Sequence, residues 1–277
     1  YRAFPASITG PTATGNNQDV GWNPKEITWS WNVMILPFVE QGPAFTQLNP
    51  TGRTAQQAMT AAGSNAGLKA VFQSPISIYV CPSDVGPTLM SDRGQASDTI
   101  SSTTLPFGVA RNNYVGCNEN DSASAILGST AAGVFGEANF QRRLVTITDG
   151  TSKTLLIGER AYEYTEKGDL HYARAGFHFV NRPRKNADMP QPNVGMNDNL
   201  FVATHGINPF STEANLGTQA NGDFAWDRRA SPSSLHTGGA NFALADGSVR
   251  FIRQSVNLGD FRSAASVADG YTANLDN

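Results

Sequence analysis

A histidine and an aspartate stand at a fixed interval late in the chain: His236, nine residues, then Asp246-Gly247. Such a pair can move a proton, the histidine acting as general base and the carboxylate orienting it, provided the two lie within hydrogen-bond reach, about 3 Å. The intervening residues argue against that reach. Asp-Gly between the apolar runs Phe242-Ala-Leu-Ala and Ser248-Val-Arg-Phe-Ile signals a two-residue type I′ hairpin. In that register Phe242, Leu244, Val249 and Phe251 share a buried face, while Ala243 and Arg250 point outward. The strand from Asn241 to Asp246 spans about 17 Å at about 3.4 Å per residue. His236 sits in the loop before this strand, so it belongs at the far end from Asp246. The segment therefore reads as scaffold: a tight turn, a one-sided apolar ladder and a packed histidine, with Arg250 as the candidate surface contact.

The other residues that could do chemistry are dispersed. His171, His178 and His205 show no ligand spacing, and the nucleotide loop, the His-Glu-x-x-His helix and the Gly-x-Ser-x-Gly elbow are all absent. Asp149 and Glu159 could be paired as acid and base, but 23 acidic residues offer many such pairs. Glu159 closes an apolar run and reads as a buried, hydrogen-bonded carboxylate; Asp149-Gly150 reads as the turn before that run. Asn118, Glu119, Asn120 and Asp121 gather oxygen donors of the kind calcium prefers, as do Asn197, Asp198 and Asn199. Neither group has EF-hand spacing, and solvated turns explain both; no cofactor is required. Trp22, Trp226 and Tyr271 lie in polar loops where aromatic rings could stack on sugars, so a glycan-binding surface is an alternative function. Cys81 and Cys117 lack the close spacing of a zinc site. Two readings of them stay open: buried thiols, or a disulfide closing a loop of about 37 residues and contributing roughly 3–4 kcal/mol.

The elements that must position these groups follow from composition and punctuation. The 277 residues include 27 Gly and 15 Pro, with 16% charged residues, which favours strands and long loops over a helical bundle. A net charge of −3 supplies no basic field for nucleic acid or an anionic membrane. No run of 18 apolar residues occurs. The first 28 residues read as a loop, and Ser30 as the cap of a short helix that Pro37 bends or ends. Residues 54–72 read as two short helices divided at Gly63. Strands are expected at 76–81, 113–117 and at the end of 144–159. Residues 181–230 form a long loop insertion with one strand near Leu200, and no linker divides the chain, so 1–277 is one domain. The start at Tyr1, without Met, suggests a processed or trimmed piece.

These blocks, in this order, resemble the prepilin-processing-associated H-X9-DG family, a group of unknown function expanded in planctomycete bacteria. The resemblance rests on the His236…Asp246-Gly247 hairpin, on Phe4-Pro5, and on Ser30-Trp-Asn-Val-Met-Ile-Leu-Pro-Phe-Val-Glu-Gln. Val80-Cys-Pro-Ser-Asp, Asn113-Tyr114 and Asp149-Gly-Thr-Ser-Lys-Thr complete it. It implies an α+β fold: a pilin- or pseudopilin-like head with a mainly antiparallel sheet, few short helices and long loops. The family's prepilin-like leader and hydrophobic helix are absent from this chain, so membrane attachment would run only through that missing helix. It further implies an extracytoplasmic, non-catalytic structural protein of an envelope filament or secretion apparatus, partnered by itself or by other pilin-like or envelope proteins. An apolar strip should lie uncovered where the helix would pack. Outside the cytoplasm, the disulfide becomes the favoured reading of Cys81 and Cys117.

Overall fold

Short apolar runs punctuated by Gly, Asn and Pro fold, in a computed structural model, into strands of two to six residues and α-helices of four to eight. The structure describes residues 3–10, 26–91, 105–119, 132–136, 138–162, 164–166, 169–171, 175–182, 198–209 and 230–276. The strands are β1 (Ile8–Thr9), β2 (Thr28–Ser30), β3 (Leu89–Met90), β4 (Val109–Asn112), β5 (Tyr114–Glu119), β6 (Leu155–Glu159) and β7 (Tyr164–Glu166). They continue as β8 (Asp169–His171), β9 (Gly176–Phe177), β10 (Val180–Asn181), β11 (Leu200–Val202), β12 (Gly239–Leu244) and β13 (Val249–Arg253). The α-helices are α1 (Trp31–Met34), α2 (Gly42–Leu48), α3 (Ala55–Ala62), α4 (Ala66–Gln73) and α5 (Leu258–Ala264). The fold is α+β, its sheets mainly antiparallel. A five-stranded sheet in the order β11-β5-β6-β12-β13 dominates, with β11 parallel to β5 and every other pair antiparallel.

Helix α3 begins at a capping box. Gln57 N donates to Thr54 Oγ1 at 3.2 Å, and Thr54 N donates to Gln57 Oε1 at 2.9 Å. Gly63 ends α3, and Asn65 caps α4 by accepting from Leu68 N at 3.0 Å. Thr54→Ala removes one acceptor from the first turn and is expected to cost about 1 kcal/mol. The urea midpoint measures this, and an unchanged midpoint would show that the box contributes nothing. Met59, Phe72, Trp29, Phe177 and Phe179 form the core beneath these helices. A second core, Phe201, Phe242, Leu244, Ile252 and Phe261, lies between the large sheet and α5.

Several local expectations are corrected. The opening residues are not all loop: Ile8 is fully buried and β1 pairs with β2. Ser30 occupies the N-cap position of α1 without a capping side-chain bond, and the helix ends at Met34, before Pro37. The expected strand at 76–81 is a 3-10 turn, Ser77–Tyr79. Its alternation is overridden because Tyr79 turns inward to donate to Asn32 O at 2.8 Å, while Cys81 N donates to Asn113 Oδ1 at 3.0 Å. The longest described stretch of the 181–230 insertion, residues 198–209, is no surface loop at its start. Asp198 to Ala203 are buried, and Arg182 meets Asp198 in a buried pair at 3.1 Å.

The hairpin forms in a different register from the one expected. Leu244 N donates to Ser248 O at 2.8 Å and Gly247 N to Leu244 O at 2.9 Å, so the loop has three residues, Ala245, Asp246 and Gly247. Only Gly247, at φ +86°, takes the left-handed conformation; Asp246 does not. Asp246 Oδ1 instead accepts from Ser248 N at 2.9 Å, bracing a type I turn closed by a glycine bulge. Adding one loop residue slips the ladder by one: Ala243 faces Val249, Phe242 faces Arg250 and Asn241 faces Phe251. Ile252 is therefore buried, whereas Val249 and Phe251, expected inside, are 68% and 47% exposed. Arg250 lies on the face of Phe242 at the sheet edge, where Nη1 meets Asp276 Oδ1 at 3.2 Å.

Candidate functional site

The apolar run Leu155–Gly158 carries Glu159 to the end of β6, beneath the loop that precedes β12. There Glu159 is 3% exposed and accepts two bonds from one residue of β12. Asn241 N donates to Oε2 at 2.8 Å and Asn241 Nδ2 to Oε1 at 3.0 Å. The main-chain carbonyl of Glu159 has turned to Ser233 N, at 2.9 Å. Its side chain thus supplies the acceptor that β12 needs where the regular ladder stops.

Two further groups converge on the same carboxylate. His236 Nε2 lies 3.4 Å from Glu159 Oε1 and 3.7 Å from Cys81 Sγ. The histidine is held from behind, its main-chain N donating to Ser234 Oγ at 3.2 Å. Cys81 is placed by Asn113, whose Oδ1 accepts from the Cys81 amide and whose Nδ2 donates to Asp84 Oδ2. Arg111 Nε stands 3.4 Å from Asp84 Oδ2, completing a buried polar layer beneath the thiol. Cys81, Asp84, Asn113, Glu159, Arg160 and Ser233 line a cleft that opens to solvent and has room for about one water-sized group.

The electrostatics do not favour a nucleophile. Burial pushes the Cys81 thiol up, and the Glu159 and Asp84 charges add to this against the hydrogen bonds of Ser83. A reactive cysteine needs the opposite shift. Thiol and carboxylate also meet the same ring nitrogen, whereas a relay holds them on opposite nitrogens. Burial likewise pushes Tyr114 up to about 12, with Cys81 and Glu159 adding to the rise. What the three atoms can do is hold a cation: Sγ, Nε2 and a Glu159 oxygen all lie within 4.8 Å of one another.

His236 and Asp246 do lie at opposite ends of β12. The Asp246 carboxylate is exposed and lowered by its bonds from Ser248, and its amide donates to Thr151 O at 3.1 Å. Asp149 fixes the C-terminal turn, accepting from Asp269 N at 2.6 Å and Gly270 N at 3.0 Å, and Gly150 takes φ +100° beside it. Cys81 and Cys117 are both buried and are not joined by a disulfide. Cys81 faces His236, and Cys117 packs in the sheet core with Sγ 3.7 Å from Ala265 O, so the favoured pairing is corrected. Asn118 lies buried in β5 and donates to Gly136 O at 2.8 Å, while Glu119 ends the strand. Asn120, Asp121, Trp22 and Trp226 lie outside the described residues.

Cys81 as a neighbour of His236 and Glu159 was missed. More than seventy residues separate each from the next, so no spacing signals the cluster. The one available hint was that all three fall in separately recognisable sequence blocks. A family model described as a protein of unknown function, DUF1559, matches residues 1–259. No curated protein and no solved structure matches the chain.

Proposed function

The chain belongs to the DUF1559 family of proteins of unknown function, and we propose that it serves as the extracytoplasmic head of a pilin-like envelope protein, structural and without catalysis. The observation that carries this reading is an apolar strip on the outer face of the five-stranded sheet. Ile157, Ala243 and Val249 are register neighbours across β6, β12 and β13, and Phe251 follows two residues on. At its covered end Leu200 of β11 continues the row, and Trp31 and Phe135 pack there, whereas Val249 and Phe251 are exposed. An apolar strip that is only half covered suits a protein that completes its packing with an added helix or a neighbouring subunit. The resemblance to the H-X9-DG family supplies the identity of that helix: the hydrophobic segment that precedes such heads.

The motif residues support a scaffold role. Asp246-Gly247 makes a turn, Asp149 ties down the C-terminal turn, and Glu159 closes a ladder. In isolation the chain should associate through the exposed strip. Val249→Ser with Phe251→Ser is expected to weaken that association about ten-fold, by removing apolar burial of about 1.4 kcal/mol or more. Sedimentation equilibrium measures this; equal association of variant and parent would remove the strip from the account. Expressed in its own cells, the protein should partition with the envelope, and recovery in the cytosol would overturn the proposal.

A further inference from the structure

We propose that Cys81 Sγ, His236 Nε2 and Glu159 Oε1 form a three-ligand site for one zinc ion, with water completing the tetrahedron. Tetrahedral zinc bonds sulfur at about 2.3 Å and nitrogen or oxygen at about 2.0–2.1 Å, which sets ligand-to-ligand edges of about 3.5 Å for S···N and about 3.4 Å for N···O. The corresponding separations here are 3.7 and 3.4 Å. Two edges thus match those of a zinc tetrahedron, and the third, from Sγ to a Glu159 oxygen, is no longer than 4.8 Å.

Hydrogen bonding alone satisfies this cluster poorly. A neutral imidazole carries one proton for two nitrogens, so Nε2 serves the thiol or the carboxylate but not both. A cation at the common centre serves all three. The supports around the ligands are those of a metal site. Asn241 clamps Glu159 through Oε2 and one lone pair of Oε1, leaving the second lone pair of Oε1 for the metal. Asn113 fixes the cysteine loop from below. His236 is 33% exposed at its side chain, which gives an ion a path from solvent. One sulfur, one nitrogen and one oxygen favour zinc over calcium or magnesium, which take oxygen alone. On binding, the Cys81 S–H bond breaks, the sulfur–zinc bond forms, and one proton leaves to solvent. The ion would tie three segments remote in sequence: the turn after Tyr79, the end of β6 and the loop before β12.

The test uses the chain stripped of metal, then loaded with zinc or with cobalt(II) as a spectroscopic stand-in. One zinc per chain should survive desalting, the melting temperature should rise by several degrees, and cobalt should give a thiolate-to-metal charge-transfer band. Cys81→Ser should abolish the band, and His236→Ala should weaken binding at least a hundred-fold. Circular dichroism confirms the fold of each variant, and partly exposed His236 is the safer substitution. Absence of both retained zinc and the charge-transfer band in the parent chain would overturn the site. Retention equal in parent and both variants would overturn it too, marking adventitious surface binding.

Discussion

Glu159→Ala, measured without metal, is expected to lower stability by about 3–4 kcal/mol. Two donors of Asn241 then lose a charged acceptor in a part-buried place, and hydrogen bonds to a charged group contribute roughly 1.5–3 kcal/mol each. The main-chain carbonyl of Glu159 is engaged by the Ser233 amide rather than by β12. Glu159→Gln retains one acceptor but places an amide donor against another donor, and should cost about 1–2 kcal/mol. Urea unfolding gives both numbers. A Glu159→Ala loss below 1 kcal/mol would mean that the carboxylate does not close the ladder.

Acid should destabilise the protein through His178. The ring is fully buried against Tyr79 and Phe179, and burial pushes it down to about 3 from the usual 6.5. The unfolded chain binds this proton below about pH 6.5 and the folded chain does not. Stability is therefore intact above pH 6.5 and is lost as pH falls toward 3, reaching roughly 4–5 kcal/mol for the full shift. Between pH 7 and pH 5 the share of this one group is about 2 kcal/mol. His178→Gln should be less stable at pH 7 yet lose about 2 kcal/mol less on going to pH 5, with the carboxylates common to both proteins. Parallel stability profiles would show that the histidine takes up its proton without unfolding.

Local chemistry written in adjacent residues was legible in the sequence. The helical stretch that begins at Thr54 and the breaker Gly63 make the α3–α4 pair legible, whereas the Thr54–Gln57 capping box comes with the structure. The strands at 114–119, 155–159 and 200–202 announced themselves as apolar runs between turn residues. The hairpin was legible in kind but misplaced by one residue. Asp-Gly fits both a two-residue turn and a three-residue loop ending in glycine, and the Ser248 bonds to Asp246 select the second. That slip exchanged Ile252 for Val249 and Phe251, and with it the strip on which the proposed role depends.

The cluster at Cys81 was illegible for a different reason. It arises where three chain segments cross, and nothing in the neighbourhood of any one of them reports the other two. Even the cysteines misled, because an extracytoplasmic setting argues for pairing while the fold sends Cys117 into the sheet core. His236 was read correctly as remote from Asp246. Its actual neighbours, a carboxylate and a thiol, came only with the topology.

The central claim is that the exposed strip is covered when the protein is in its working place. Val249→Cys reports on it directly, since Val249 is 68% exposed and the native cysteines are buried. Maleimide labelling should be fast on the purified chain and at least ten-fold slower on the protein in the envelope of its own cells. Equal labelling rates in the two settings would contradict the claim.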